Sequence, residues 1–143
     1  MAPLPRLCLT GPESTGKTEL ARVLAQELGT IWIPEYAREY ALARENQLTA
    51  EDVEPIARGV IESHERLSAA GQGIVILDTD LISTVVYARH YYERCPRWIE
   101  DAARARRADV YLLLDTDVPW QADAARDTPG DTREDLFDAF RRA

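Results

Sequence analysis

Gly11-Pro12-Glu13-Ser14-Thr15-Gly16-Lys17-Thr18 fits the pattern G-x-x-x-x-G-K-[ST]. A loop of this kind wraps phosphates with backbone N–H groups. Gly11 and Gly16 permit the tight turn and close main-chain approach that wrapping needs. A helix opening near Gly16 aims its N-terminus, with free N–H groups and partial positive charge, at the anion. Lys17 is placed to reach the β- and γ-phosphates of ATP, and Thr18 to offer its hydroxyl to Mg²⁺. The expected nucleotide-binding set is therefore Gly11, Glu13, Ser14, Thr15, Gly16, Lys17 and Thr18. Lys17 is also the only lysine among 17 basic residues, so positive charge is written as arginine everywhere except where a phosphate loop needs a compact ammonium.

The flanking pattern supports the loop. Leu7-Cys8-Leu9 reads as a short strand before it. Leu20, Val23, Leu24 and Leu28 recur at helical spacing after it, with Gly29 as the stop. Working outward, Ile31-Trp32-Ile33 reads as a second strand ended by Pro34, and Glu35 to Ala43 as a helix. Thr49 and Asp52 form a capping box that opens a long helix to about Ala70, stopped by Gly71. Ile74-Val75-Ile76-Leu77 and Val110-Tyr111-Leu112-Leu113-Leu114 are continuous apolar runs, expected as strands buried on both faces. Helices are expected from Ile82 to about Tyr92, from Arg97 to Arg107 and from Arg133 to Ala143. Strands alternating with helices predict an α/β fold of the P-loop NTPase type, with a central parallel sheet of about four to five strands flanked by helices. Residues 1–143 read as one domain, with a polar lid segment at 116–132 broken by Pro119, Pro129 and Gly130.

Composition narrows the functional class. A net charge of −8 argues against a nucleic-acid partner, which would ask for a basic face. No apolar run is long enough to span a membrane, and no secretory signal is visible. Two cysteines without a metal or redox spacing suit a reducing cytoplasm. Oligomeric state is not legible.

In parallel α/β sheets ligands lie at the carboxyl ends of the strands. That rule gathers the P-loop, Glu35, Asp78 with Asp80, and the segment Asp115–Arg126 at one crevice, as phosphoryl transfer requires. Glu35, at a strand end, is the candidate acceptor of a substrate hydroxyl proton. Asp78 ends the third strand, the place for a carboxylate that holds Mg²⁺ with Thr18. Asp80 lies two residues on. If strand geometry persists, its side chain points the same way and serves a substrate ribose or the metal; otherwise it caps the following helix. Arg126 is the expected lid arginine, closing on the phosphates, and Lys17, Glu35, Asp78 and Arg126 form the candidate catalytic set. Tyr36, Arg38, Trp120 and Asp123 join Glu35, Asp78 and Asp80 as the candidate substrate-binding residues. His64 and His90 are read as structural or solvated, and Tyr36, Tyr40, Tyr87, Tyr91 and Tyr92 as packing mostly between helices and sheet.

Four blocks together, Gly-Pro-Glu-Ser-Thr-Gly-Lys-Thr at 11–18, Pro-Glu-Tyr-Ala-Arg-Glu-Tyr at 34–40, Leu-Asp-Thr-Asp at 77–80 and Asp-Thr-Asp-Val-Pro-Trp at 115–120, resemble the ribosylnicotinamide kinase family over nearly the whole chain. The resemblance implies ATP- and Mg²⁺-dependent phosphorylation of nicotinamide riboside to nicotinamide mononucleotide. It also implies that the Asp78/Asp80 and Trp120 blocks face the nucleoside, with the Arg126 segment as lid. A pyridinium cation suits aromatic faces such as Trp120 and Tyr36 in an acidic crevice. The chain departs from the family pattern at Ala124 and Glu93, where glycine is usual. It also ends within a helix, where related kinases continue to a further strand and an adenine-contacting turn, so either the C-terminal part is truncated or the nucleotide base is held loosely. The alternatives are another nucleoside or nucleotide kinase, or a non-catalytic ATP-binding regulatory module.

Overall fold

The computed structural model describes residues 3–12, 15–114 and 130–143, the side chains at 130–134 excepted. Among the described residues four strands form one parallel sheet in the order β2-β3-β1-β4, with β1 at Arg6–Thr10, β2 at Trp32–Ile33, β3 at Val75–Asp78 and β4 at Val110–Leu113. Six helices among the described residues connect and cover them: α1 Lys17–Leu28, α2 Tyr36–Ala43, α3 Val53–Leu67, α4 Leu81–Tyr92, α5 Arg97–Ala105 and α6 Gly130–Arg142. This is the α/β P-loop NTPase architecture expected from the alternation of elements.

Period-two alternation along the strands sends side chains to opposite faces. Leu9 and Ile76 pack on one face against Ala21 and Ala25 of α1. Cys8, Ile33, Val75 and Leu77 pack on the other. A larger apolar cluster joins α2 to α6 through Tyr40, Ile56, Val60, Val85, Ile99 and Leu136. β3, in the sheet interior, is buried at every residue, as its unbroken apolar run predicts.

Three expectations need correction. β4 is not buried on both faces. Among the described residues it pairs only with β1, and Val110 and Leu112 stand 49% and 37% exposed on the face that bears α1. An edge strand can look like a central one because side chains alone do not show how many neighbours it pairs with. The buried line of α1 is made by Ala21 and Ala25, while Val23 and Leu28 lie 36% and 50% exposed. Close approach of helix to sheet needs small side chains at the contact, so the larger residues flank it. Finally, the helix after the capping box begins and ends in 3₁₀ turns, Ala50–Asp52 and Ser68–Ala70, around α3 itself. The box is present in full: Thr49 N–H donates to Asp52 Oδ2 at 2.8 Å and Glu51 N–H to Thr49 Oγ1 at 3.3 Å.

Candidate functional site

The carboxyl end of β1 runs directly into the phosphate-loop sequence. Gly11 sits at φ 128°, and a Cβ there would stand 2.9 Å from the carbonyl oxygen of Leu114, just beyond β4. Gly16, at φ 86°, is the left-handed N-cap of α1. Both positions therefore require glycine, one for lack of space and both for their backbone angle. Lys17 is only 8% exposed. Its Nζ folds back over the loop and donates to the carbonyls of Gly11 at 3.0 Å and Pro12 at 2.7 Å. Thr15 Oγ1 also donates to the Pro12 carbonyl, at 2.8 Å. The result is an ammonium held over the N-terminus of a helix, where partial positive charge adds to it.

One residue beyond Lys17, Thr18 Oγ1 donates to Asp78 Oδ2 at 2.7 Å. Leu9 and Asp78 are paired in register, so Asp78 lies on the α1 face at the tip of β3. Asp78 is 2% exposed, and its other oxygen, Oδ1, is buried without a hydrogen-bond partner. Burial pushes its carboxyl pKa up, against the opposing pull of the Thr18 hydrogen bond and the positive charges of Lys17 and Arg38. An orphaned buried carboxylate oxygen is costly. A hydroxyl and a carboxylate side by side form a hard oxygen donor set that suits Mg²⁺.

The strand does not continue through Asp80. Thr79 adopts φ 66°, a left-handed conformation rare for a β-branched residue, while its N–H donates to the Leu9 carbonyl at 3.0 Å. The turn separates the two acids. Asp78 meets Thr18, whereas Asp80 becomes the N-cap of α4, its Oδ1 accepting from Ile82 N–H at 3.0 Å. Its Oδ2 accepts from the Tyr111 hydroxyl at 2.5 Å. The shared direction expected for Asp78 and Asp80 is therefore corrected by the backbone at Thr79, and the capping alternative is the arrangement found.

The first turn of α2 brings the block at 34–40 to the same end of the sheet. Glu35 is its extended N-cap and is half-buried. Tyr36 is half-buried, and Arg38 is exposed yet close enough to act on Asp78. A cavity of about 80 Å³ opens between α2, α3 and α4, bordered by Ala37, Asp52, Thr79, Asp80, Ser83 and Tyr87. Tyr91, expected to pack, lies 49% exposed and stacks on Tyr87 with centroids 6.0 Å apart. His64 is buried, and His90 meets Tyr91 edge-on. Glu13, Ser14, Trp120, Asp123, Arg126 and nearly all of the lid segment lie outside the described residues. Among the described residues no cluster of three His, Cys, Asp or Glu side chains forms a metal centre.

Sequence reasoning missed three residues at this site: Thr79, Tyr111 and Gly59. Only Gly59 left a signal, because a glycine inside a helix costs about 1 kcal/mol relative to alanine and asks for a reason.

Known proteins resemble this chain in sequence and in fold. The AAA domain profile matches residues 6–143. The chain is 27% identical over 124 residues to the trifunctional NAD biosynthesis/regulator protein NadR of Salmonella typhimurium strain LT2, and equally to that of Escherichia coli strain K12. Those alignments cover 84% of this chain and 30% of each relative, so the chain spans under a third of their length. A crystal structure of NadR in complex with NR superposes with a TM-score of 0.79 at 31% identity, covering 97% of this chain and 40% of that one. A second, of NadR in complex with NAD and AMP-PNP, gives 0.80 at 28% over the same shares. YorR of Bacillus subtilis, in complex with phosphorylated GDP, agrees in fold alone, with a TM-score of 0.54 at 20% identity over 96% of this chain and 77% of that one. With its P-loop, its parallel sheet and a match that runs from Arg6 to Ala143, the chain belongs to the AAA domain family of P-loop NTPases.

Proposed function

We propose that this chain is an ATP-dependent small-molecule kinase that transfers the γ-phosphoryl group to nicotinamide riboside, giving nicotinamide mononucleotide and ADP. The observation that carries phosphoryl transfer is the Thr18–Asp78 pair beside Lys17, with a buried Asp78 oxygen left for a cation. The acceptor is supported by the likeness to NadR, which has been crystallised with NR and, separately, with AMP-PNP.

In this reading Lys17 and the P-loop N–H groups hold the β- and γ-phosphates, with Glu13, Ser14 and Thr15 completing the loop. Thr18 and Asp78 would hold Mg²⁺, which when bound neutralises charge on the phosphate oxygens. Glu35 accepts the proton of the riboside hydroxyl as its oxygen bonds to phosphorus and the bond to the ADP oxygen breaks. Arg38 adds positive charge beside Asp78. Tyr36, with Trp120 and Asp123, faces the pyridinium, whose cation suits aromatic and acidic neighbours. Arg126 closes from the lid. Asp80 shapes the β3–α4 turn at the acceptor side. The reaction belongs in the cytoplasm; among the described residues no helix is long and apolar enough to cross a membrane.

The test is nucleoside-dependent ADP release from Mg-ATP, with nicotinamide riboside beside cytidine, thymidine and a nucleoside monophosphate. Release with nicotinamide riboside that disappears in Lys17→Ala is the expected result. Release with another acceptor alone moves the substrate and keeps the kinase. ATP binding without release for any acceptor overturns the reading in favour of a regulatory module.

A further inference from the structure

The interior of α3 carries Gly59, which is buried between the core residues Ala57 and Val60. Glycine is disfavoured there against alanine. The reason lies across the interface with α2. A Cβ built on Gly59 would stand 1.9 Å from Tyr36 Cε1, 2.2 Å from Cζ and 2.5 Å from Cδ1. The Tyr36 ring therefore occupies the volume of the missing side chain and rests against the α3 backbone. α3 cannot retreat to make room, because Ile56, Ala57 and Val60 anchor the same turns in the core. Tyr36 is also the first residue of α2, directly after Glu35.

We propose that Gly59 is a positioning residue for the acceptor side of the crevice: its bare backbone seats the Tyr36 ring, and that seat sets where Glu35 and Tyr36 meet the acceptor. The inference rests on the kinase reading above. It adds a requirement at a position remote from the phosphate loop. A side chain at 59 displaces the ring and the first turn of α2 with it, but leaves β1, the P-loop and Asp78 in place. The loss therefore falls on acceptor binding and not on the nucleotide.

The test uses the full chain as Gly59→Ala, Tyr36→Ala and the double variant. Gly59→Ala is expected to raise the acceptor KM about tenfold or more, since ångström-scale misplacement has effects of that order, with the Mg-ATP KM within about twofold. In the Tyr36→Ala background the seat is already vacated, so adding Gly59→Ala should move the acceptor KM by less than about twofold. The melting temperature gives a readout free of turnover. Gly59→Ala should lower it in the native background and hold or raise it in Tyr36→Ala, where only the helix preference for alanine remains. An unchanged acceptor KM in Gly59→Ala, or equal shifts in both backgrounds, overturns the proposal while leaving the kinase reading intact. A native chain that phosphorylates no acceptor overturns the kinase reading and the acceptor role of Gly59 together, whatever the melting temperatures show.

Discussion

Thr18 Oγ1 and Asp78 Oδ2, 2.7 Å apart, tie the first turn of α1 to the tip of β3 across 60 residues of sequence. The pair carries a cost that the proposed cation-holding role would explain. Burial raises the Asp78 pKa above its ordinary 3.8, so ionisation at neutral pH opposes folding. Asp78→Asn keeps an oxygen for Thr18 and removes the charge. The variant should melt higher than the native chain at pH 7. The advantage should shrink as pH falls through the raised pKa toward 3.8, because the native side chain then becomes neutral in the fold as well. Turnover should fall about 10²- to 10³-fold, the scale seen when one group that stabilises developing charge is removed. Melting curves across pH and Mg-ATP kinetics check both halves. A variant that is no more stable at pH 7 would refute the cost assigned to the buried carboxylate.

His64 makes the opposite contribution. It lies buried on α3, and burial, followed by the charges of Arg6 and Arg106, lowers its pKa from 6.5 to about 4. A depressed folded pKa means that stability is fully present above 6.5 and is lost as pH falls from 6.5 toward about 4. The shift corresponds to about 3 kcal/mol at one pKa unit per 1.36 kcal/mol. Urea unfolding of the native chain at several pH values should show this decline, and His64→Gln should flatten it. Parallel slopes for the two proteins would rule His64 out as the source.

Glu93 closes α4 in a left-handed conformation, φ 60°, with its N–H donating to the Arg89 carbonyl at 3.0 Å. A residue with a Cβ pays for that angle, and glycine does not. Glu93→Gly should therefore stabilise the chain by about 0.5–1 kcal/mol, offset in part by the greater freedom of glycine in the unfolded chain. Calorimetry should register a rise of a few degrees, with Mg-ATP affinity unchanged. A fall in melting temperature would show that the Glu93 side chain contributes more than its backbone angle costs.

Glu93 also shows what a sequence carries. It stands out because the family that the chain resembles usually has glycine at that place, and the physical reason, a left-handed helix end, is a local property of the chain. The left-handed Gly11 and Gly16, the Thr49–Asp52 capping box, the Gly29 stop and the buried run of β3 are local in the same way, and each is found where its residues predict. What was not legible depends on partners distant in sequence. Nothing in Val110-Tyr111-Leu112-Leu113 announces that β4 stands at the edge of the sheet among the described residues. Nothing near Tyr36 announces that its ring rests on Gly59. The divergence of Asp78 and Asp80 turns on a single backbone angle at Thr79, one that a β-branched residue seldom adopts, so local rules point the wrong way there.

Tyr111 offers the test of how Asp80 is held. Its hydroxyl donates to Asp80 Oδ2 at 2.5 Å and accepts from Ala108 N–H at 3.0 Å, joining β4 to the start of α4. Burial raises the Asp80 pKa, and the Tyr111 hydrogen bond is the largest influence opposing it. Tyr111→Phe removes that donor and leaves a buried carboxylate oxygen short of a partner, at a cost of about 1–3 kcal/mol. The carboxyl pKa should then rise further, so the deficit should be larger at pH 7.5 than at pH 4.5, where Asp80 is closer to neutral in the fold. The P-loop and the Thr18–Asp78 pair lie on the other side of the Thr79 turn, so Mg-ATP affinity should stay within about twofold, as for sites that share no partner. Unfolding at the two pH values, with nucleotide titration beside it, separates the cases. A stability loss independent of pH would mean that the packing of the ring edge, and not the charge of Asp80, is what the hydroxyl supports. A large loss of Mg-ATP affinity would mean that the two acids act as one unit despite the turn between them.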